Sequence, residues 1–184
     1  GPLPMTIAIA SLLDLNQAPE SKQVWDLMLE RCNQLGMLPV PIPHFSWQVA
    51  GDYTLDQLLP AIESLALTWK EFSVQTSGLG LFSGETPVLY LPVIKTRELL
   101  EKHEELWELC SGFAKDLSLH YSPENWMPHI TIFQQRFSLD NVYCVIEDLY
   151  QKDLGMEFKV QKVEIIYQNE KEEGIKAEFS LQKG

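Results

Sequence analysis

Two short segments of the chain carry the same order of residue types: His44-Phe45-Ser46-Trp47-Gln48-Val49 and Pro128-His129-Ile130-Thr131-Ile132-Phe133. Each places a histidine two residues before a hydroxyl side chain, among apolar residues. Both therefore predict a short strand that presents a proton-transfer group beside a hydrogen-bond donor. Side chains alternate between the two faces of a strand, so the polar faces are expected to carry His44, Ser46 and Gln48 in the first segment and His129, Thr131 and Phe133 in the second.

The surroundings of the two segments also repeat, at an offset of 84 to 86 residues. Thr54-Leu55-Asp56 follows the first histidine, and Ser138-Leu139-Asp140 follows the second at nearly the same distance. Further on, Glu71-Phe72-Ser73-Val74 matches Glu157-Phe158-Lys159-Val160. Such self-similarity predicts a duplicated unit. We expect two lobes, each a strand-helix-hairpin unit, that are related by a pseudo-twofold axis, with equivalent strands facing each other across a cleft.

The periodicity of apolar residues predicts the individual elements. Strands are expected at residues 5–13, from His44 onward, and at residues 71–82, 87–93, 157–167 and 175–181. Helices are expected at residues 17–35, 97–117 and 138–151, with a further helix after Thr54. Thr54 and Gln57 fit a capping box for that helix, although Pro60 predicts either a kink or a later start.

Length and charge restrict the class of protein. The chain has 184 residues and a formal net charge of −12. We expect residues 1–4 to be the remnant of a cleaved tag and residues 5–184 to form one domain, which acts as a monomer. The negative charge argues against binding an extended nucleic-acid backbone, which requires many cationic contacts. A small phosphate ligand in a local pocket is still compatible with this charge.

Hydropathy and cysteine spacing bear on location. No apolar run is long enough to span a bilayer, and no signal peptide is evident, so no membrane association is expected. Three widely spaced cysteines favour buried thiols in a reducing, cytoplasmic compartment over disulfides or a metal site. They are Cys32, Cys110 and Cys144.

Other histidines and aromatic residues have simpler interpretations. His120-Tyr121-Ser122 also fits the short pattern, but it lies at a proline-containing turn without apolar alternation, so we expect it at the surface. His103 falls on the apolar stripe of a predicted helix and is expected to pack there. Trp47 alternates to the core face, which argues against a role in stacking on substrate.

The paired motifs and their order resemble the 2H phosphoesterases, which include the 2′-5′ RNA ligase-like proteins and cyclic nucleotide phosphodiesterases. The likeness covers nearly all of residues 5–182. It rests on the two histidine segments and on Gly78-Leu79-Gly80-Leu81-Phe82 and Val88-Leu89-Tyr90-Leu91-Pro92-Val93 between them. It implies a bilobal α+β fold in which antiparallel sheets and both motifs line a central cleft. Relatives often carry a basic residue five positions after the second histidine, where this chain has Gln134, with Arg136 two residues later.

Two imidazoles across a cleft suit phosphodiester chemistry without a metal or cofactor, since one can be neutral while the other is protonated near neutral pH. Ser46 and Thr131 are expected to donate hydrogen bonds to the phosphate oxygens. By family analogy His129 is the base and His44 the acid in ring opening, and the roles exchange in the reverse direction. The expected substrate is a 2′,3′-cyclic phosphate or a 2′-5′ phosphodiester end of a nucleotide or RNA.

Several alternatives stay open at this stage. Phe133 either stacks on a base or packs as a core aromatic. Gln134 and Arg136 are further candidates for substrate contacts. The alternative function is a module that binds a terminal phosphate of a nucleotide or RNA end without turning it over. A metal hydrolase has little support, because no His-x-His or His-Glu-x-x-His spacing is present.

Overall fold

The computed structural model describes residues 5–36, 40, 42–133, 138–169 and 173–184. In these ranges it contains four α-helices and ten β-strands, so the predicted α+β class is confirmed. The helices are α1 Pro19–Gln34, α2 Leu55–Thr68, α3 Arg97–Cys110 and α4 Leu139–Leu149. The strands are β1 Thr6–Leu12, β2 His44–Tyr53, β3 Phe72–Gln75, β4 Gly80–Phe82, β5 Val88–Pro92, β6 Ala114–Leu117, β7 His129–Phe133, β8 Glu157–Val160, β9 Lys162–Gln168 and β10 Glu173–Ser180.

The strands form three sheets, and adjacent strands in each sheet are antiparallel. The first sheet has the order β10-β9-β1-β2-β6, the second has the order β4-β5-β7, and the third pairs β3 with β8. The two histidine strands, β2 and β7, therefore belong to different sheets. This arrangement lets each sheet supply one wall of a cleft.

The two repeats exchange their hairpins. Each histidine strand is followed by a helix, a short strand and then a hairpin, which is β4–β5 in the first repeat and β9–β10 in the second. The first hairpin pairs with β7, the histidine strand of the second repeat. The second hairpin pairs through β9 with β1, which in turn pairs with β2. Each sheet thus contains strands from both repeats, which ties the two walls of the cleft together.

The pairing of β3 with β8 lies at the centre of the duplication. Phe72 pairs with Val160, and Val74 pairs with Phe158. Because Phe72 corresponds to Phe158 and Val74 to Val160 in the sequence repeat, the pairing is symmetric about Ser73 and its partner Lys159. This register is the one that a pseudo-twofold axis requires.

The strand predicted at residues 157–167 is two strands in different sheets, β8 and β9. Three further predicted elements differ from those observed. The helix predicted at residues 97–117 ends at Cys110, and residues 114–117 instead form β6 and pair with the edge of β2. Tertiary pairing there outweighs helical propensity. The strand predicted at residues 71–82 is two strands in different sheets, because Gly78 has a φ of 64° and turns the chain between them.

The third difference concerns the helix after Thr54. Thr54 precedes the first turn of α2 but makes no side-chain capping hydrogen bond, so the capping box predicted there is wrong. The helix begins at Leu55 and contains Pro60, whose side chain is exposed. The proline therefore does not move the start of the helix to a later residue.

Aromatic residues from both repeats meet in the core. Trp47 of β2 is fully buried, as predicted, and its ring lies 5.8 Å from Trp126, 5.3 Å from Trp69 and 4.9 Å from Phe45. Its indole N–H donates to the Ser11 hydroxyl at 2.9 Å. Packing and hydrogen bonding together fix the position of β2, one wall of the cleft, against the core.

Candidate active site

A β-bulge follows the hydroxyl residue in each histidine strand. On β2, Ser46 pairs with Ala10 and Gln48 with Ile9, so Trp47 is the extra residue. On β7, Thr131 pairs with Tyr90 and Phe133 with Leu89, so Ile132 is the extra residue. A bulge adds one residue to one strand and reverses the alternation of side chains beyond it. The repeat thus preserves this irregularity as well as the residue types.

The bulges correct two sequence predictions. Gln48 does not share the cleft face with His44; it is fully buried and binds the Tyr53 hydroxyl at 3.0 Å, while Val49 takes its place on the cleft side. Phe133 does not share the cleft face with Thr131, since its side chain is only 1% exposed. The hypothesis that Phe133 stacks on a base is therefore wrong in its premise, and Phe133 packs as a core aromatic.

Side chains from α3 and its surroundings hold the bulge of β2. The carbonyl of Trp47 lies 3.0 Å from His103 Nε2, which must carry the proton because a carbonyl only accepts. The Trp126 indole N–H donates to the carbonyl of Ser46 at 3.1 Å. His103 and Trp126 also stack, with ring centroids 3.8 Å apart. On β7 a backbone amide makes the corresponding contact, since the N–H of Val40 donates to the carbonyl of Ile132, the extra residue of that bulge, at 2.9 Å.

Both candidate catalytic imidazoles are held in the same way. His44 Nδ1 lies 3.1 Å from the carbonyl of Ile42, and His129 Nδ1 lies 2.7 Å from the carbonyl of Met127. In each case the partner is two residues earlier in the chain. Because the carbonyl accepts, Nδ1 carries the proton, and Nε2 is the nitrogen left for proton exchange with a substrate.

One cavity of about 170 Å³ brings the predicted residues together. His44 and Ser46 line it from β2, and His129 and Thr131 line it from β7. The small side chain of Ala8, on the neighbouring strand β1, leaves the space open beside β2. Two imidazoles and two hydroxyls thus face one space of a size suited to a phosphate group and its substituents.

The electrostatic surroundings of the two histidines differ. Burial lowers the pKa of His44, while its bond to Ile42 and the negative charge of Glu173 act in the opposite direction. Burial also lowers the pKa of His129; its bond to Met127 opposes the shift, and the nearby His44 adds to it. His44 therefore has an anionic neighbour that favours its charged form, whereas the neighbouring imidazole disfavours the charged form of His129.

Two aromatic rings pack against His129. Phe82 and Tyr90, from the β4–β5 hairpin, lie 4.9 Å and 5.3 Å from the His129 ring, both near edge-to-face. Gly80 makes this packing possible, because a Cβ there would lie 2.2 Å from the Tyr90 ring. The hairpin exchanged from the first repeat thus fixes the histidine of the second.

The structure adds site residues that the sequence did not reveal. Tyr121, Ile166 and Gln168 line the cavity, and burial raises the pKa of Tyr121. Ile166 and Gln168 reach it only because β9 lies beside β1, a pairing with no local signature. Tyr121 follows His120, which is exposed as predicted. Gln134 and Arg136 lie outside the described residues, and within the described ranges no lysine or arginine lines the cavity.

Comparison with known proteins agrees with this arrangement. A sequence model of the 2′-5′ RNA ligase superfamily matches residues 23–172. The chain belongs to this superfamily. The resemblance to 2H phosphoesterases is thereby confirmed. A search of curated protein sequences gives no significant match.

Solved structures show that other proteins have the fold of this superfamily member. The protein TT0787 of Thermus thermophilus is 18% identical, with a TM-score of 0.64, over 97% of this chain and 98% of that one. E. coli LigT complexed with 3′-AMP is 11% identical, with a TM-score of 0.59, over 98% and 99%. Kluyveromyces marxianus Usb1 with uridine monophosphate is 13% identical, with a TM-score of 0.51, over 97% and 99%. At these identities the likeness establishes the fold alone.

Metal-binding clusters and membrane-spanning helices are both missing from the described part of this superfamily member. Among the residues that the structure describes, no three His, Cys, Asp or Glu side chains are grouped so that they could hold a metal ion. In the same part of the chain, no helix has the length and apolar character needed to cross a membrane.

Proposed function

We propose that the protein is a metal-independent phosphodiesterase that opens 2′,3′-cyclic phosphates or cleaves 2′-5′ phosphodiester ends of nucleotides or RNA. The observation that carries the proposal is the single cavity lined by both histidines, each with Nδ1 bound to a carbonyl and Nε2 free for proton exchange. Membership in the 2′-5′ RNA ligase superfamily supports it. So do the structural neighbours solved with 3′-AMP and uridine monophosphate.

In the proposed ring opening, a water oxygen forms a bond to phosphorus while the bond from phosphorus to one ribose oxygen breaks. Neutral His129 accepts the proton of the water at Nε2. Protonated His44 donates its Nε2 proton to the departing ribose oxygen. Ser46 and Thr131 donate hydrogen bonds to the non-bridging oxygens, where negative charge increases. Protons balance, and each histidine ends in the form in which the other began.

The surroundings of the two imidazoles support this division of roles. Glu173 favours the charged form of His44, as an acid requires. The proximity of His44 disfavours a charge on His129, as a base requires. A bound phosphodiester adds negative charge beside both rings, which makes protonation of one of them easier.

A phosphate-binding module without turnover is the second candidate. The net charge of −12 and the lack of lysine and arginine among the described lining residues favour it, because an enzyme for anionic substrates gains from cationic contacts. Calorimetry with a 2′,3′-cyclic nucleotide, followed by product analysis after long incubation, separates the two. Binding without product would select the module.

The decisive experiment is a panel of 2′,3′-cyclic nucleotides and of 2′-5′ and 3′-5′ dinucleotides, assayed with EDTA present. We expect turnover of cyclic phosphates or 2′-5′ ends by the native protein. His120→Ala is the matched control, since His120 also precedes a hydroxyl by two residues but is exposed. It should retain full activity, whereas His44→Ala and His129→Ala should fold and lose it. Unchanged rates in both of these variants would refute the mechanism, and loss of all activity with EDTA would refute metal independence.

Thiol chemistry supports a proposal about location. All three cysteines are free, and burial raises the pKa of Cys32 to about 11 and of Cys110 to about 12, which keeps these two as unreactive thiols. We therefore propose that the protein works in the reducing cytoplasm. We also propose that it is a monomer. Sedimentation of the purified protein tests the second point.

A further inference from the structure

A second cavity adjoins the candidate active site across His44. It has a volume of about 210 Å³ and shares Val40, His44, Ile166 and Gln168 with the first cavity. A cavity of about 150 Å³ is enough to hold benzene. The second cavity therefore has room for one planar ring system directly beside the expected position of the phosphate.

Its walls are mainly apolar. Leu12, Ile42, Ile166, Tyr167 and Ile175 line it. Ile166 and Ile175 are cross-strand partners on β9 and β10, so their side chains lie on the same face of the sheet. They form a hydrophobic surface beside His44.

Besides His44, two polar residues line this cavity, Gln168 and Glu173. They are cross-strand partners on β9 and β10. Within the described ranges Glu173 is the only acidic lining residue, and no lysine or arginine lines the cavity. A carboxylate without a neighbouring cationic side chain disfavours a second phosphate group there. A carboxylate accepts hydrogen bonds but donates none, so its complement is a donor such as an exocyclic amino group.

We propose that the second cavity binds an amino-bearing nucleobase of the substrate, with the Glu173 carboxylate accepting a hydrogen bond from the exocyclic amino group. The proposal rests on the function proposed above, because it places the phosphate of the same ligand between His44 and His129. It assigns adenine, cytosine or guanine to this site in preference to uracil or hypoxanthine. It also implies that no second phosphate group of the ligand lies in this cavity.

Calorimetry with matched pairs of nucleoside 3′-monophosphates tests the proposal without requiring turnover. CMP and UMP differ by an amino against a keto group, as do AMP and IMP, and in each keto base the adjacent ring nitrogen carries a proton. We expect the native protein to bind CMP and AMP about 10-fold more tightly than UMP and IMP, which is the order of one hydrogen bond to a charged group. In Glu173→Gln this preference should fall below about 3-fold, because the amide group is not charged. The ratio within a pair cancels any effect of Glu173 on His44, which both ligands share.

A second variant tests the cavity itself. Ile175→Trp places a large ring at a rim position that is 50% exposed. It should lower the affinity for all four nucleotides about 10-fold or more and leave the affinity for inorganic phosphate unchanged. Leu67→Trp, at a 65% exposed position on α2 that lines neither cavity, is the matched control and should change neither.

Equal affinities within both pairs, or a preference that persists in Glu173→Gln, would overturn the proposal. Nucleotide binding unaffected by Ile175→Trp would overturn the placement of the base. These outcomes differ from failure of the proposed function. Discrimination within the pairs without turnover of any cyclic phosphate would refute the enzyme and keep the base site, whereas turnover with equal affinities would do the reverse.

Discussion

The two histidine strands share a backbone arrangement and differ in their surroundings. Each has a histidine bound through Nδ1 to the carbonyl two residues earlier, a hydroxyl two residues later and then a bulge. Beside His44 lie Glu173 and an apolar cavity, whereas beside His129 lie the rings of Phe82 and Tyr90.

This comparison shows how one duplicated plan can produce two chemical roles. The backbone positions both imidazoles equivalently, so neither role is determined by the motif itself. Neighbours from elsewhere in the chain act on the two pKa values in opposite directions, since Glu173 acts to raise that of His44 and His44 acts to lower that of His129. An acid and a base in the same site require such different surroundings. Each prediction below changes a residue in one of the two halves or compares the matching residues of both.

The largest effect is expected from removing the histidines and comparing leaving groups. With a 2′,3′-cyclic nucleotide, His44→Ala and His129→Ala should each lose about 10²- to 10⁴-fold in kcat. With methyl 4-nitrophenyl phosphate, whose nitrophenolate leaves without a proton, His44→Ala should lose much less, while His129→Ala should stay equally impaired. Steady-state rates on both substrates measure this. The opposite pattern would exchange the roles of acid and base.

A smaller effect is expected at the hydroxyls. Ser46→Ala and Thr131→Ala each remove one donor to the phosphate and should lower kcat/KM about 10- to 100-fold. The exchanges Ser46→Thr and Thr131→Ser keep the hydroxyl and should retain most of the activity. If an exchange is as damaging as the alanine in the same position, shape rather than hydrogen bonding explains the effect.

The third prediction concerns the bulge of β2. His103→Phe keeps a ring against Trp126 but removes the donor to the Trp47 carbonyl, so we expect a loss of about 1–3 kcal/mol in unfolding free energy at pH 8. Burial lowers the pKa of His103 to about 4 in the folded protein, below the unfolded value near 6.5. The unfolded state therefore binds the proton first as pH falls, and the native protein loses stability that the variant cannot lose.

Urea unfolding at two pH values measures this difference. Between pH 8 and pH 5 the difference in unfolding free energy between the native protein and His103→Phe, which is the gap measured here, should narrow by about 2 kcal/mol. Other buried groups that titrate in this range, such as Glu164, are present in both proteins and cancel. A gap that stays constant or widens would show that His103 does not remain neutral in the folded state.

The smallest effect is a shift in the pH profile. The proposed mechanism requires protonated His44 and neutral His129, and burial lowers the pKa of both below the ordinary histidine value. The profile of kcat/KM should therefore fall on its alkaline side as His44 loses its proton. Glu173→Gln removes a charge that raises the pKa of His44, so this limb should move to lower pH while the acid limb of His129 stays in place. Movement of the acid limb instead would place Glu173 beside the other histidine.

Much of the fold was predictable because the two halves of the chain carry the same residue types in the same order. The offset of about 85 residues between histidines, hydroxyls and helix starts identified both motif strands and the strand-helix-hairpin order of each half. The bulges were not predictable, since an extra residue changes the parity of side chains without a local signature. That is why Gln48 and Phe133 were placed on the wrong face.

The rest of the site depends on contacts between distant parts of the chain. Ile166, Gln168 and Glu173 belong to strands whose position beside β1 follows from sheet order and not from their own sequence. Similarly, residues 114–117 follow an amphipathic helix but pair with β2. Pattern reasoning identified the chemistry, whereas strand order determined which side chains surround it.

The symmetric pairing of β3 with β8 has a consequence for the origin of the molecule. Each of these strands aligns with a copy of its own sequence pattern, as the shared interface of a twofold dimer requires. A chain of half this length could therefore have formed a homodimer through this strand, with one histidine from each subunit. Gene duplication and fusion would then join the subunits and free each half to vary alone. In the present chain the histidine of one half has an acidic neighbour, and that of the other has aromatic rings packed against it.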